Sequence, residues 1–128
     1  MAIEKVVYLE KGDLSVNQSR RITTIINGTN EFDTTDVRLI VVDATGELGG
    51  HYREYPEVWG FLGVANVTLE DIKTKERRIY KATDGTRIFI PAMVASKVEA
   101  EKGTAIVTCS PRSDREKQTH KYELWLIK

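Results

Sequence analysis

Apolar residues along this chain fall in short branched or aromatic runs, and turn-forming residues separate them. Such runs fit pleated strands, with side chains alternating between two faces. The pattern predicts strands at 6–9, 21–26, 37–42, 57–62, 66–71, 77–82, 87–90, 96–100, 104–109 and 122–127. Asn27-Gly28 and Asp84-Gly85 are strong turn dipeptides, because both residue types tolerate positive φ. Lys73-Thr74-Lys75-Glu76 reads as an exposed hairpin tip. No segment longer than ten residues keeps a clean helical period. About ten short strands at this spacing indicate an all-β sandwich or barrel. The stretch 110–119 has five charged residues and one proline, and reads as a mobile loop.

Composition supports the same class. Val, Ile and Thr number 36, against 16 for Ala and Leu, and branching at Cβ favours strands over helices. With 128 residues and no linker or internal repeat, the chain is expected to form one domain spanning 1–128. Apolar residues make up 41%, enough for a packed core. Lys and Arg total 19, as do Asp and Glu, so no basic excess points to nucleic acid. No apolar run approaches the roughly 20 residues that span a bilayer, and the first residues lack an apolar signal-peptide core. Cys109 is the single cysteine and cannot form an internal disulfide. Together these features predict a reduced, cytoplasmic protein without nucleic-acid or membrane partners.

Two stretches stand out. One is Gly46-Glu-Leu-Gly-Gly-His51-Tyr-Arg53-Glu-Tyr-Pro-Glu57-Val-Trp59-Gly-Phe61-Leu-Gly63. The other is Asp84-Gly85-Thr-Arg-Ile-Phe-Ile-Pro91-Ala-Met93-Val-Ala-Ser96-Lys97. In order and spacing they resemble the two cupin motifs, set about 22 residues apart, and the match covers roughly 35–110. His51, Arg53, Glu57 and Gly63 stand at the first motif's His, His, Glu and Gly. Gly85, Pro91, Met93 and Ser96 stand at the second motif's Gly, Pro, Gly and His. The N-terminal pattern of Gly12-Asp13, then 21–26, 39–42 and Gly49-Gly50-His51, is similar to short cupins of the sugar-nucleotide epimerase and ketoisomerase type. The resemblance implies a jelly-roll barrel with an internal ligand cavity, and a homodimer. It departs from metal-binding cupins at two ligand places, where Arg53 and Ser96 replace histidine. Arginine stays protonated and cannot ligate a metal, so no metal or other cofactor is expected. Leu48 replaces the arginine that such epimerases direct at the nucleotide.

His51 is the residue best suited to move a proton near neutral pH, and the resemblance places it facing the cavity. Arg53, two positions on, shares its face, and Glu57 returns to that side after Tyr55-Pro56. Trp59 and Phe61 continue the alternation along the cavity wall, and Ser96 occupies a vacated ligand place. The enzyme reading has His51 removing a proton beside a carbonyl, Arg53 stabilising the enolate, and Glu57 orienting the imidazole or a hydroxyl. Each residue also has a structural reading: His51 as a hydrogen-bonded barrel histidine, Arg53 with Glu57 as an internal ion pair, Trp59 and Phe61 as core, Ser96 as filler. Tyr52 alternates to the opposite face. His120 falls in the polar stretch and is expected to be exposed. The function expected is therefore a metal-independent epimerase or isomerase of a keto-sugar, free or nucleotide-linked. The alternatives are a small-molecule- or carbohydrate-binding cupin without catalysis and a structural homodimer, and the apolar run 124–127 is the contact expected of the homodimer in any of these readings.

Overall fold

Two five-stranded antiparallel sheets face one another in the computed structural model, which describes residues 8–11, 14–16, 20–23, 25, 34, 36–111 and 115–122. The strands are β1 (Tyr8–Lys11), β2 (Leu14–Val16), β3 (Arg21–Thr23), β4 (Asp36–Val41), β5 (Gly46–Arg53), β6 (Glu57–Leu62) and β7 (Ala65–Asp71). After them come β8 (Arg77–Ala82), β9 (Thr86–Ile90), β10 (Val94–Ala100), β11 (Ala105–Ser110), the short helix α1 (Arg115–Gln118) and β12 (Thr119–Lys121). One sheet runs β1-β9-β6-β11-β4, the other β12-β5-β10-β7-β8, and β2 pairs β3 apart from both. This is the all-β sandwich that the strand pattern implied, with the jelly-roll arrangement that the motif resemblance implied.

The core lies between the sheets. Trp59, Phe61, Ile88, Ile90 and Ile106 come from the first sheet, and Val67, Leu69, Val94 and Val98 from the second. Period-two alternation puts them there: β7 buries Val67 and Leu69 and exposes Asn66 between Ala65 and Val67. Removing those side chains from water is the main stabilising contribution. The Asp84-Gly85 turn is tied to the end of β6, since Gly85 N–H donates to the Phe61 carbonyl and Gly63 N–H to Asp84. The tip between β7 and β8 is where the sequence places it, with Lys75 N–H closing onto the Asp71 carbonyl.

Three features depart from the sequence reading. The stretch 110–119 is not one loop: Ser110 is fully buried on β11, 115–118 form α1, and Thr119 begins β12. Backbone pairing to β5 explains the order that its polar composition hid, with Thr119, His120 and Lys121 opposite Arg53, Tyr52 and His51. Secondly, β4 faces the opposite way from its apolar pattern. Val37, Leu39 and Val41 are 64%, 66% and 54% exposed, while Arg38 and Ile40, themselves partly open to solvent, line the cavity described below. Lastly, β5 begins well before the histidine although three of its residues are glycines. The expected Asn27-Gly28 turn and the run 124–127 lie outside the described residues.

Candidate functional site

A β-bulge in β5 decides which way the candidate histidine points. β10 pairs β5 as Ser96 with His51, then as Lys97 with Gly49. One step along β10 matches two along β5, so Gly50 is the extra residue. Gly49 and Gly50 have φ of 98° and 83°, which only glycine adopts freely. Without the bulge, Leu48 and His51, three apart, would face opposite sides. With it, both line one cavity.

The cavity measures about 320 Å³. His51 and Arg53 reach it from β5, Glu57 and Trp59 from β6, Arg38 from β4, and Thr108 from β11. Cross-strand register makes the first sheet's side a ladder, with Arg38 opposite Thr108, and Thr108 opposite Trp59. Leu48, Val98, Ile40 and Ile106 supply its apolar lining. A hollow of about 370 Å³ elsewhere is lined by Thr45, Glu47, Asn66, Glu99 and Glu101, without a histidine or arginine.

Four of the six sequence-identified residues therefore share the cavity: His51, Arg53, Glu57 and Trp59. Phe61 and Ser96 are outside its lining. Phe61 is buried in the core behind Trp59, the ring centroids 6.4 Å apart. Ser96 is buried opposite His51 on β10.

Arg53 Nη1 donates to Glu57 Oε1 at 3.1 Å, and both side chains are mostly withdrawn from water. The pair holds the guanidinium in place and balances its charge. Arg38 is more open. Its Nε donates to Asp36 Oδ1 at 3.0 Å, and that bond, with smaller contributions from Tyr55 and Glu57, holds its pKa above the usual arginine value. The backbone around the histidine is braced from both sides. Met93 N–H donates to the Arg53 carbonyl, Glu54 N–H to the Gln118 carbonyl, and Tyr122 N–H to the Gly50 carbonyl.

The donor set does not fit a divalent metal. Arg53 occupies Glu57, Ser96 stands where a third ligand would be, and among the described residues no three of His, Cys, Asp and Glu come together. Cys109 is buried, and desolvation raises its thiol pKa, as expected for an inert side chain. On the outer face of the second sheet, Tyr52 stacks on His120, which pairs with Glu54, so neither is near the cavity.

Sequence reasoning missed Arg38 and Thr108. The one available signal was a lone charged residue inside the apolar run Val37-Arg38-Leu39-Ile40-Val41. Strand β12 left no apolar signal, because its contribution is backbone pairing.

No family model and no curated protein match the chain in sequence. Solved structures do match its fold. The sugar 3,4-ketoisomerase QdtA from Thermoanaerobacterium thermosaccharolyticum in complex with TDP superposes with TM-score 0.72 at 19% identity, over 88% of this chain and 85% of that one. A His→Asn variant of QdtA in complex with TDP-4-keto-6-deoxyglucose gives TM-score 0.73 at 18% identity, over the same 88% and 85%. The 3'-monoepimerase ChmJ from Streptomyces bikiniensis in complex with dTDP-quinovose gives 0.76 at 12%, over 90% of this chain and 68% of that one. The chain thus shares its jelly roll with sugar-nucleotide ketoisomerases and epimerases.

Proposed function

We propose that this protein is a metal-independent ketoisomerase or epimerase of a keto-sugar carried on a nucleoside diphosphate. The observation that carries the reading is the convergence of His51, Arg53, Glu57 and Trp59 on one cavity of about 320 Å³. The fold adds support, since its solved relatives at low identity are enzymes of TDP-linked sugars. In this reading His51 removes the proton from the carbon beside the carbonyl. Arg53, held by Glu57, stabilises the negative charge that develops on oxygen. Trp59 forms the cavity wall, and Phe61 and Ser96 support that wall and the histidine from behind. The Arg53–Glu57 pair also suits a cavity that holds a sugar without transforming it, so the decisive property is proton exchange.

The test is His51→Asn. Asparagine keeps size and polarity, so the loss of stability should stay near 1 kcal/mol, about that of one altered hydrogen bond. It cannot take a carbon-bound proton, so exchange of the sugar's α-proton with solvent should fall by about 10² to 10⁴. A variant that melts earlier but exchanges as before removes the catalytic assignment.

We further propose a cytoplasmic homodimer. Val37, Leu39 and Val41 form an exposed apolar row on β4, which among the described residues pairs only with β11. Light scattering at micromolar concentration should report twice the 14.5 kDa chain, and a monomer would reject it.

A further inference from the structure

Glu70 is a carboxylate only 2% exposed, yet it lies outside the candidate cavity. It alternates away from the core residues Val67 and Leu69 of β7, onto the outer face of the second sheet. Both of its oxygens are taken. Arg77 Nε donates to Oε1 at 3.0 Å, and the Tyr122 hydroxyl donates to Oε2. Lys75 Nζ donates to that hydroxyl at 3.2 Å and stands 5.3 Å from the centre of the Tyr122 ring. Taking a carboxylate out of water is costly, and a buried network with every member bonded fixes one arrangement of the groups it joins. The group fixed here is Tyr122, directly after β12. The backbone of Tyr122 reaches the bulge. Along β10 the register passes from Ser96 with His51 to Lys97 with Gly49, so Gly50 has no place in that ladder. β12 fills the gap from the other side: Lys121 pairs with His51, and Tyr122 N–H donates to the Gly50 carbonyl at 2.8 Å. Strand order puts β10 between the bulge and Glu70, and Tyr122 is bonded to both.

We infer that Tyr122 is a positioning residue for His51: clamped at its hydroxyl by Glu70 and Lys75, it holds the Gly50 carbonyl and so the bulge that aims the imidazole. The inference rests on the isomerase reading for its effect on rate, while the aim of His51 is a property of the chain itself. The bulge needs such a brace. Gly49 and Gly50 both have positive φ, and glycine carries no side chain to hold its backbone in one shape. A neighbouring strand bonded to the bulge supplies that restraint without touching substrate. The ring of Tyr122 adds to it by meeting Tyr52 edge-on, with centroids 6.1 Å apart. A brace of this kind sets where the base stands and not what binds. Its loss therefore falls on the chemical step, where a misplacement of about 1 Å can cost about 10²-fold, and leaves substrate affinity alone.

The test uses Tyr122→Phe, which removes the hydroxyl and keeps the ring and the backbone N–H. The imidazole C–H signal of His51 is followed by proton NMR; the chain has two histidines, and His51→Asn identifies which signal is which. In Tyr122→Phe that signal should move or broaden, and the amide at position 122 should exchange with solvent about 10-fold faster, the worth of about one hydrogen bond. With TDP-4-keto-6-deoxyglucose, kcat for α-proton exchange should fall by about 10- to 100-fold, with KM within about 2-fold of wild type. A variant that melts earlier but keeps the His51 signal and kcat overturns the inference, and so does a moved signal with unchanged kcat. Wild-type protein that exchanges no α-proton removes the isomerase reading instead; the aim of His51 is then decided by its signal, which supports the inference if it moves and overturns it if it does not. If Tyr122→Phe does not fold, amide exchange of the wild-type protein decides. The Tyr122 N–H should be protected as strongly as the β5 amides beside it, and exchange at the rate of a free chain overturns the inference.

Discussion

Replacing Gly49 by alanine tests whether the bulge that aims His51 is dictated by this glycine. Gly49 has φ of 98°, where an L-residue is strained by about 1–2 kcal/mol. An added Cβ would stand 2.7 Å from the Ser96 carbonyl oxygen, 3.2 Å from Lys97 Cα and 3.3 Å from Ser96 C. All three are backbone atoms. They cannot recede easily, because Ser96 and Lys97 are paired on their other side with Leu69 and Thr68 of β7. Forcing a methyl into such a contact adds about 1–3 kcal/mol. Gly49→Ala should therefore lose about 2–5 kcal/mol, a large share of a typical domain's stability. Gly46→Ala is the control on the same strand. Its Cβ would meet only the Ala44 carbonyl oxygen, at 3.9 Å, and its φ is not in the left-handed range. It should be neutral or gain up to about 1 kcal/mol through the unfolded chain. Urea unfolding of both variants measures the difference, provided the slopes agree. A Gly49→Ala protein within about 0.5 kcal/mol of Gly46→Ala would refute the claim that the bulge needs a bare backbone at this position.

Three further outcomes follow from particular contacts. Met93 has φ of 67°, so Met93→Gly should raise stability by about 0.5–1 kcal/mol, seen as a higher Tm; a lower Tm would mean that its side chain matters more than its backbone strain. Glu57→Gln leaves the mostly buried Arg53 without its counter-charge and should cost about 3–5 kcal/mol, whereas an apolar pair at both positions should restore most of the loss in a double-mutant cycle. The Tyr122 hydroxyl is pushed above its ordinary value of 10.0, first by burial and next by its hydrogen bond to Glu70. The unfolded chain therefore releases this proton first, so the contribution is complete below about pH 10 and is lost as pH climbs through the folded pKa. Stability measured against pH should decline above pH 10, less steeply in Tyr122→Phe; identical slopes would reject the assignment.

Much of the sandwich was legible because its strands carry branched residues at period two. Strands β6 and β8 begin and end where the pattern puts them. Met93 is a sharper case. The second motif expects glycine there, and the chain keeps the left-handed backbone with a methionine in its place. The candidate site was legible where it depends on alternation after the bulge, as for His51, Arg53, Glu57 and Trp59. Phe61 obeys the same alternation yet lies one step deeper, since period two gives the face but not the depth. Arg38 was hidden because β4 turns its apolar row outward, which reverses the usual inference from pattern to face. The sequence could not show β12 either, whose polar residues are ordered by main-chain hydrogen bonds to β5.

The proposed removal of a keto-sugar proton by His51 is read by proton NMR of wild-type protein with TDP-4-keto-6-deoxyglucose in deuterated water. The signal of the proton beside the carbonyl should disappear catalytically, over many turnovers per chain, and should persist with His51→Asn. A sugar that binds in the cavity while that proton signal stays at full intensity would contradict it.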